Sequence, residues 1–288
     1  MSRVSLIVCT LGRIPELRRC LTSIRNQGHP DLQIVIVDQS GEGEVEKLLG
    51  ELALPAAVVH LRVPRVGTSE ARNLGAAAAT GEIISFPDDD CWYPAQVLDL
   101  VESILGERPD LDGVSGRTMG EDGGKGNGRF DNGEALVTPH NVWTTAIAFT
   151  IFLRRRAWDA LGGFDPGLGA GSGTARQSGE DTDLIIRAVR CGFRIWFTPA
   201  LAIGHPRPGY DRPPSKVYYY GVGMGHVARV HRLPAKQTLG LLVRPYLGAV
   251  IFLLRGNLQA MRYHASIGTG RMAGFLGLDG SSSTGKAA

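Results

Sequence analysis

The sequence predicts an α/β fold: a mostly parallel central sheet with helices on both faces. Short runs rich in Val and Ile alternate with helical periodicity over the first hundred residues, as strands buried on both faces require. The 288 residues, 43% hydrophobic and 20% charged, suit one large core or two fused smaller ones and exclude disorder, collagen and coiled coil. Polar residues recur at the carboxyl ends of the apolar runs, at Thr10, Asp38 and Asp88 to Asp90, where ligands bind in such sheets.

Val4 to Thr10 reads as a buried strand, and Pro15 to Gln27 places Leu17, Cys20, Leu21 and Ile24 at helical spacing. Residues 32–41, LQIVIVDQSG, read as a second strand ending in an Asp and a turn. Val45 to Leu54 follows as a helix and Ala57 to Val63 as a third strand. Ser69 to Ala79 is an Ala-rich helix stopped by Gly81, and Glu82 to Phe86 is a fourth strand running into Asp88. Met119 to Asn141 holds six glycines and alternating charges without periodicity, so it is either a functional lid or disordered. Ala146 to Leu153 reads as a strand, Arg155 to Leu161 as a short helix, Glu180 to Cys191 as a helix with Leu184, Ile185, Ala188 and Val189 inward, and Phe193 to Phe197 as a strand. After Pro199 the chain turns to His, Pro, Arg and Tyr, then to the strongly apolar Gln237 to Leu254. There are no internal repeats.

The formal net charge is only +3, which excludes a chain built as a whole to bind nucleic acid. Its distribution is uneven, because residues 205–288 carry 11 Lys and Arg against 2 Asp and Glu, leaving an acidic body with a basic tail. Cys9, Cys20, Cys91 and Cys191 form no C-x-x-C pair and suit a reducing compartment. The apolar run at Val4 to Cys9 is too short for an export signal, so a cytoplasmic location is expected.

Phe86-Pro87-Asp88-Asp89-Asp90-Cys91-Trp92-Tyr93-Pro94 sets three consecutive carboxylates at a strand end. Two carboxylates about 4 Å apart repel by roughly 4 kcal/mol at an effective dielectric near 20, so such a group in a cleft calls for a cation or strong hydrogen bonds. Oxygen ligands suit Mg²⁺ or Mn²⁺, which would also take phosphate oxygens. The plainer alternative is a solvated turn with a helix cap. A second acidic group, Gly179-Glu180-Asp181-Thr182-Asp183, opens a helix; alone it is a helix start, but with the first group it makes one metal and phosphate site and one free base.

Taken in order, VSLIVCT-LGR, IVIVDQS, GTSEARNLG, the acidic strand end, GGFD and GEDTDL resemble a family 2 glycosyltransferase of the inverting, A-type fold, over residues 3 to about 230. The resemblance implies that Thr10, Arg13 and Asp38 hold the nucleoside, that Arg72 of the ARN triplet lies near base and phosphates, and that Asp88 contacts ribose or nucleotide. The family's Asp-any-Asp motif, aligned on Trp92 and Pro94, would begin at Pro87. That departure makes Asp89 the expected metal ligand with Asp90 beside it, in a register that could shift by one. His205 is implied as a further group near metal or pyrophosphate. Asp181, of the Glu180-Asp181 pair, is implied as the general base. Trp143 and residues 144–148 are implied at the donor sugar or acceptor.

The expected domains are a catalytic unit over 1–204, with a nucleotide-binding half to about 95 and an acceptor half from about 96, and a basic, apolar helical extension over 205–288 with a flexible tail from about 279. The expected reaction is metal-dependent, inverting transfer of a sugar from a nucleotide diphosphate sugar to a polysaccharide or lipid-linked acceptor of the cell envelope. Two rivals remain: a nucleotidyltransferase acting on sugar phosphates, for which Thr10-Leu11-Gly12-Arg13 is a poor phosphate loop, and a catalytically silent sugar-nucleotide-binding subunit. Gly280 to Lys286 imitates a phosphate loop, and Gly221, Gly223 and Gly225 a dinucleotide fingerprint, but both lack the strand-turn-helix frame. Thr238 to Leu254 is interrupted by Arg244 and Pro245 and flanked by basic residues over 229–262. It suits a segment lying on an anionic membrane surface, peripheral on the inner face of the cell membrane, or a helix pair packed on the catalytic unit.

Overall fold

The computed structural model describes residues 2–126, 128–207 and 209–279. Strands β1 (Val4–Thr10), β2 (Leu32–Asp38) and β3 (Ala57–Arg62) pair in parallel, and β4 (Ile83–Ser85) pairs in parallel with the other side of β1. Helices α1 (Ile14–Arg25), α2 (Glu44–Leu52) and α3 (Thr68–Ala78) make the crossovers. Beyond β4 come α4 (Val97–Glu107), β5 (Gly113–Met119), β6 (Ala135–Leu136), α5 (Val142–Thr145), β7 (Phe152–Arg154), α6 (Arg155–Leu161), α7 (Glu180–Arg190) and β8 (Ile195–Gly204). The eight strands form one sheet in the order β3-β2-β1-β4-β7-β5-β8-β6. Parallel pairing rules the first half, whereas β7 runs antiparallel to both β4 and β5 and β6 antiparallel to β8.

Alternation along the strands builds two cores. Leu6, Val8, Ile34 and Ile36 face α1, α2 and α4, and Ile7, Val35 and Val37 face α3, α6 and α7. Thr10 stands opposite Asp38, and Cys9 bridges to Asp88, so the register alone gathers the polar ends of β1, β2 and β4 on one edge. Strand order reverses between β1 and β4, and in such sheets ligands bind beyond a switch point of this kind.

Three segments differ from the expectation. Residues 146–153 are not one strand: Ala148–Thr150 form a 3-10 turn before β7, where the Thr150 hydroxyl donates to the Gly116 carbonyl at 3.1 Å in place of ladder pairing. β8 runs on through Pro199, which is tolerated where the β5–β8 register shifts between Ser115 and Arg117. The described residues within 119–141 are tied to the sheet rather than disordered: Met119 bridges to Lys125, β6 joins β8 at the sheet's edge, and Phe130 stacks on Phe197 at 6.4 Å.

Three helices follow the sheet: α8 (Pro214–Val230), α9 (Ala235–Leu254) and α10 (Leu258–Leu276). The glycines that imitate a dinucleotide fingerprint serve packing. A Cβ on Gly225 would lie 2.0 Å from the Arg271 carbonyl oxygen, one on Gly274 2.0 Å from that of Val222, and one on Gly223 2.1 Å from that of Ser178. The backbone of α8 thus touches α10 on one side and the segment before α7 on the other. The phosphate-loop imitation at Gly280 to Lys286 and the tail expected from about 279 lie, but for Asp279, outside the described residues.

Candidate active site

Carboxylates crowd the carboxyl ends of β1 and β4. The Thr10 hydroxyl, at the last position of β1, donates to Asp89 Oδ2 at 2.7 Å, and the Gly12 amide donates back to Thr10 Oγ1 at 3.1 Å. Arg13, just before α1, pairs through Nη2 with Asp89 Oδ1 and donates from Nη1 to Asp90 Oδ2 at 2.7 Å. Asp89 is buried, and burial holds its carboxyl above the ordinary value although Arg13 and Thr10 pull it down. The residue expected as a metal ligand is therefore turned into the protein, onto Arg13 and Thr10.

Asp88, Asp90 and His205 instead bring one ligand atom each within 4.8 Å of one another. The antiparallel bridge between Trp92 and Gly204 carries His205 to this place; its bonds are 3.0 and 2.8 Å, and only a glycine can lie under the Trp92 ring. His205 stacks on Phe149, and its Nδ1 donates to the Pro206 carbonyl oxygen at 2.6 Å, which leaves Nε2 as the ring nitrogen turned toward the acids. That Nε2 lies 3.4 Å from Asp90 Oδ1, which is buried and accepts no hydrogen bond among the described residues. A buried carboxylate oxygen that accepts no hydrogen bond, beside an imidazole nitrogen and a second carboxylate, fits a hard divalent cation.

The GTSEARNLG motif is a clamp. On α3, Ser69 donates to the Leu168 carbonyl at 2.7 Å, and Asn73 exchanges bonds of 2.8 and 2.9 Å with the backbone of Phe164, in the GGFD segment. Between them Arg72 is buried, donating to Asp88 Oδ1 at 2.8 Å and Glu180 Oε1 at 3.2 Å. Arg72 thus joins the two acidic groups directly rather than standing open toward a ligand. Its charge stays fixed where both carboxylates meet.

Glu180 and Asp181 open α7 behind Gly179, whose φ of +92° suits glycine. Asp181 Oδ1 accepts from the Thr182 amide at 2.7 Å, and Oδ2 accepts from the Ala148 amide at 3.2 Å. Burial raises its carboxyl against those bonds and the Arg72 charge. Glu180 is pushed up to about 7 by burial and the neighbouring Asp181, despite Arg72. The two form a half-buried acid pair in which burial raises both carboxyls, the direction that suits proton transfer at neutral pH.

Asp38, at the end of β2, accepts from the Ser40 amide at 2.9 Å and hydroxyl at 2.6 Å, and His60 Nε2 lies 3.0 Å from its other oxygen. Burial alone would raise Asp38, but Ser40 and His60 outweigh it and hold the carboxyl below its usual value. Sequence reasoning missed His60; an imidazole inside the apolar β3 was the available signal. It also missed the Ala148 amide, which no side-chain pattern reveals. Trp143 lies on α5, and residue 148 of the segment expected at donor or acceptor holds Asp181.

The model of a family described as "Glycosyl transferase family 2" matches residues 5–161. The chain is 22% identical to the glycosyltransferase AglE of Haloferax volcanii over 83% of this chain and 78% of that protein. It is 28% identical to the pre-mycofactocin glycosyltransferase of Mycobacterium tuberculosis over 70% of this chain and 42% of that protein, so it spans less than half of that relative. Among solved structures it resembles the mannosyltransferase PcManGT of Pyrobaculum calidifontis, in complex with GDP-Man and Mn²⁺, at a TM-score of 0.67 and 19% identity, covering 95% of this chain and 87% of that one. It also resembles S. aureus TarS 1-349 in complex with UDP-GlcNAc, at a TM-score of 0.61 and 15% identity, covering 92% and 91%. At such identities the likeness concerns the fold, which is of the A type.

Proposed function

The chain belongs to glycosyl transferase family 2, and from that premise we propose that it is a metal-dependent, inverting enzyme transferring a sugar from a nucleotide diphosphate sugar to a hydroxyl of a polysaccharide or lipid-linked acceptor. One observation carries this reading: the Asp88, Asp90 and His205 group sits at the β1–β4 switch point and is tied through Arg72 to the Glu180-Asp181 pair. Nucleotide sugars in the structures of PcManGT and TarS, and Mn²⁺ in the former, support the donor class and the cation.

In this reading Asp88, Asp90 and His205 would hold Mg²⁺ or Mn²⁺, and Asp89, with Arg13 and Thr10, would buttress them. The cation would neutralise charge on the leaving diphosphate. The ends of β1 and β2, at Thr10 and Asp38 with His60, line the nucleoside side, where a carboxylate and an imidazole can accept from a base imide or ribose hydroxyl. Asp181 accepts the proton of the acceptor hydroxyl as that oxygen attacks the anomeric carbon in line, so configuration inverts. The Ala148 and Thr182 amides orient it, and burial keeps its basicity up. Arg72 stabilises the acidic cluster and adds positive potential where negative charge develops.

The test is thermal shift of the purified chain with UDP, GDP, dTDP and CDP, each with and without Mn²⁺, beside Asp90→Ala. One diphosphate should stabilise the protein in a metal-dependent way, and the variant should lose that response. No response to any diphosphate would sink the donor site and leave a silent subunit as the better account. Pyrophosphate as product from a nucleoside triphosphate and a sugar phosphate would identify a nucleotidyltransferase.

A further inference from the structure

The face of α9 turned away from the protein is apolar along its length. Leu239, Val243, Leu247, Val250 and Leu254 are exposed, and their spacing of three and four residues sets them on one side of the helix. By length and composition α9 could cross a membrane, and 22% of its apolar window is buried. Its contacts, however, hold it lengthwise against α10, with its first turn on the α/β body. Arg271 donates to the Leu241 carbonyl at 3.0 Å, Gly268 lies under Pro245 and Tyr246, Phe252 stacks on His264 at 5.1 Å, and Gln237 donates to the His140 carbonyl. A helix held along its side presents its stripe in a plane.

Charge selects what covers that stripe. Arg229, Arg232, Lys236, Arg244, Arg255 and Arg262 are exposed on or around α9, and no acidic residue occurs between Asp211 and Asp279. A two-fold contact with a second copy sets the same patch against itself and brings these cations together, so the matching surface must be both apolar and anionic. We propose that α9 docks flat on an anionic phospholipid bilayer, its stripe from Leu239 to Leu254 among the acyl chains and the basic residues at the headgroups. The first turn of α9 touches His140, in the segment leading to the Ala148 amide that holds Asp181. On the transferase reading above, docking therefore brings the base toward a lipid-linked acceptor; the docking itself does not rest on that reading.

The test is co-sedimentation of the full chain with vesicles of phosphatidylcholine alone or with about a third phosphatidylglycerol. The wild type should bind the anionic vesicles in preference, and Leu247→Glu with Val250→Glu should weaken binding at least about tenfold. Both positions are exposed, so the variant should keep its melting temperature and its response to nucleoside diphosphate, which separates loss of docking from loss of the donor site. Failure of the wild type to bind anionic vesicles, or unchanged binding by the variant, overturns the proposal. So does a dimer in light scattering that the variant abolishes while vesicles bind neither protein, which would make a second copy the occupant.

Discussion

Asp88, Asp89 and Asp90 are neighbours in the chain with different surroundings, and the differences are measurable. Asp89 is buried against Arg13 and Thr10, whereas Asp90 keeps one buried oxygen without a donor. Asp90→Asn should therefore abolish Mn²⁺-dependent stabilisation, checked by thermal shift, while Asp89→Asn should first lower the melting temperature by unpairing Arg13. Asp181→Asn should lower kcat by about 10²- to 10⁴-fold while leaving donor Kd nearly unchanged, as measured by steady-state kinetics and calorimetry. Glu180, at about 7, lies above its unfolded value of 4.5, so the folded state binds the extra proton between those limits. Its contribution to stability is fully present below pH 4.5 and is lost as pH rises through 7. Melting curves across that window should flatten in Glu180→Gln. The sequence supplied the acids but not their order of use, because a turn, unlike a strand or helix, has no period that assigns each side chain a direction.

At the scale of elements, the motifs act as clamps between parts distant in sequence. Ser69 and Asn73 tie α3 to residues 164 and 168, and Gly223 lets α8 lie on Ser178, two residues before Glu180. A Cβ at 223 meets backbone, which cannot rotate away, so Gly223→Ala should push the start of α7 and destabilise the protein by about 1–3 kcal/mol. Urea unfolding checks the stability, and a lower kcat at unchanged donor affinity checks the displacement. Asp183 on α7 holds His231 Nε2, at the end of α8, at 2.7 Å and Arg187 at 2.9 Å. Burial opposes ionisation of Asp183, but His231 and Arg187 outweigh it and hold the carboxyl below 3.8. That link is present above pH 3.8 and lost as pH falls through the lower folded value. Strands β1 to β4 and their helices were legible because apolar spacing repeats. β6, two residues long, and the turn at residues 148–150 were not, since partners elsewhere in the sheet decide them.

Over the whole molecule, an acidic α/β body carries a basic helical layer, and ligand linkage reports on the assembled site. Donor diphosphate with Mn²⁺ at a hundred times Kd should raise stability by about 2.7 kcal/mol, read as a melting shift that disappears on chelation. Composition, the alternation of strands and helices and the ordered motifs determined the family, the parallel half of the sheet and the edge on which the polar residues gather, because these follow from local periodicity and a right-handed crossover pattern. Only the tertiary structure decided that Asp88 and Asp90 meet His205, that Arg72 joins both acidic groups, and that α9 keeps one apolar face outward. Those arrangements depend on which surfaces of distant elements are brought within a few ångströms, and a side chain's role is set by the neighbours that pairing supplies.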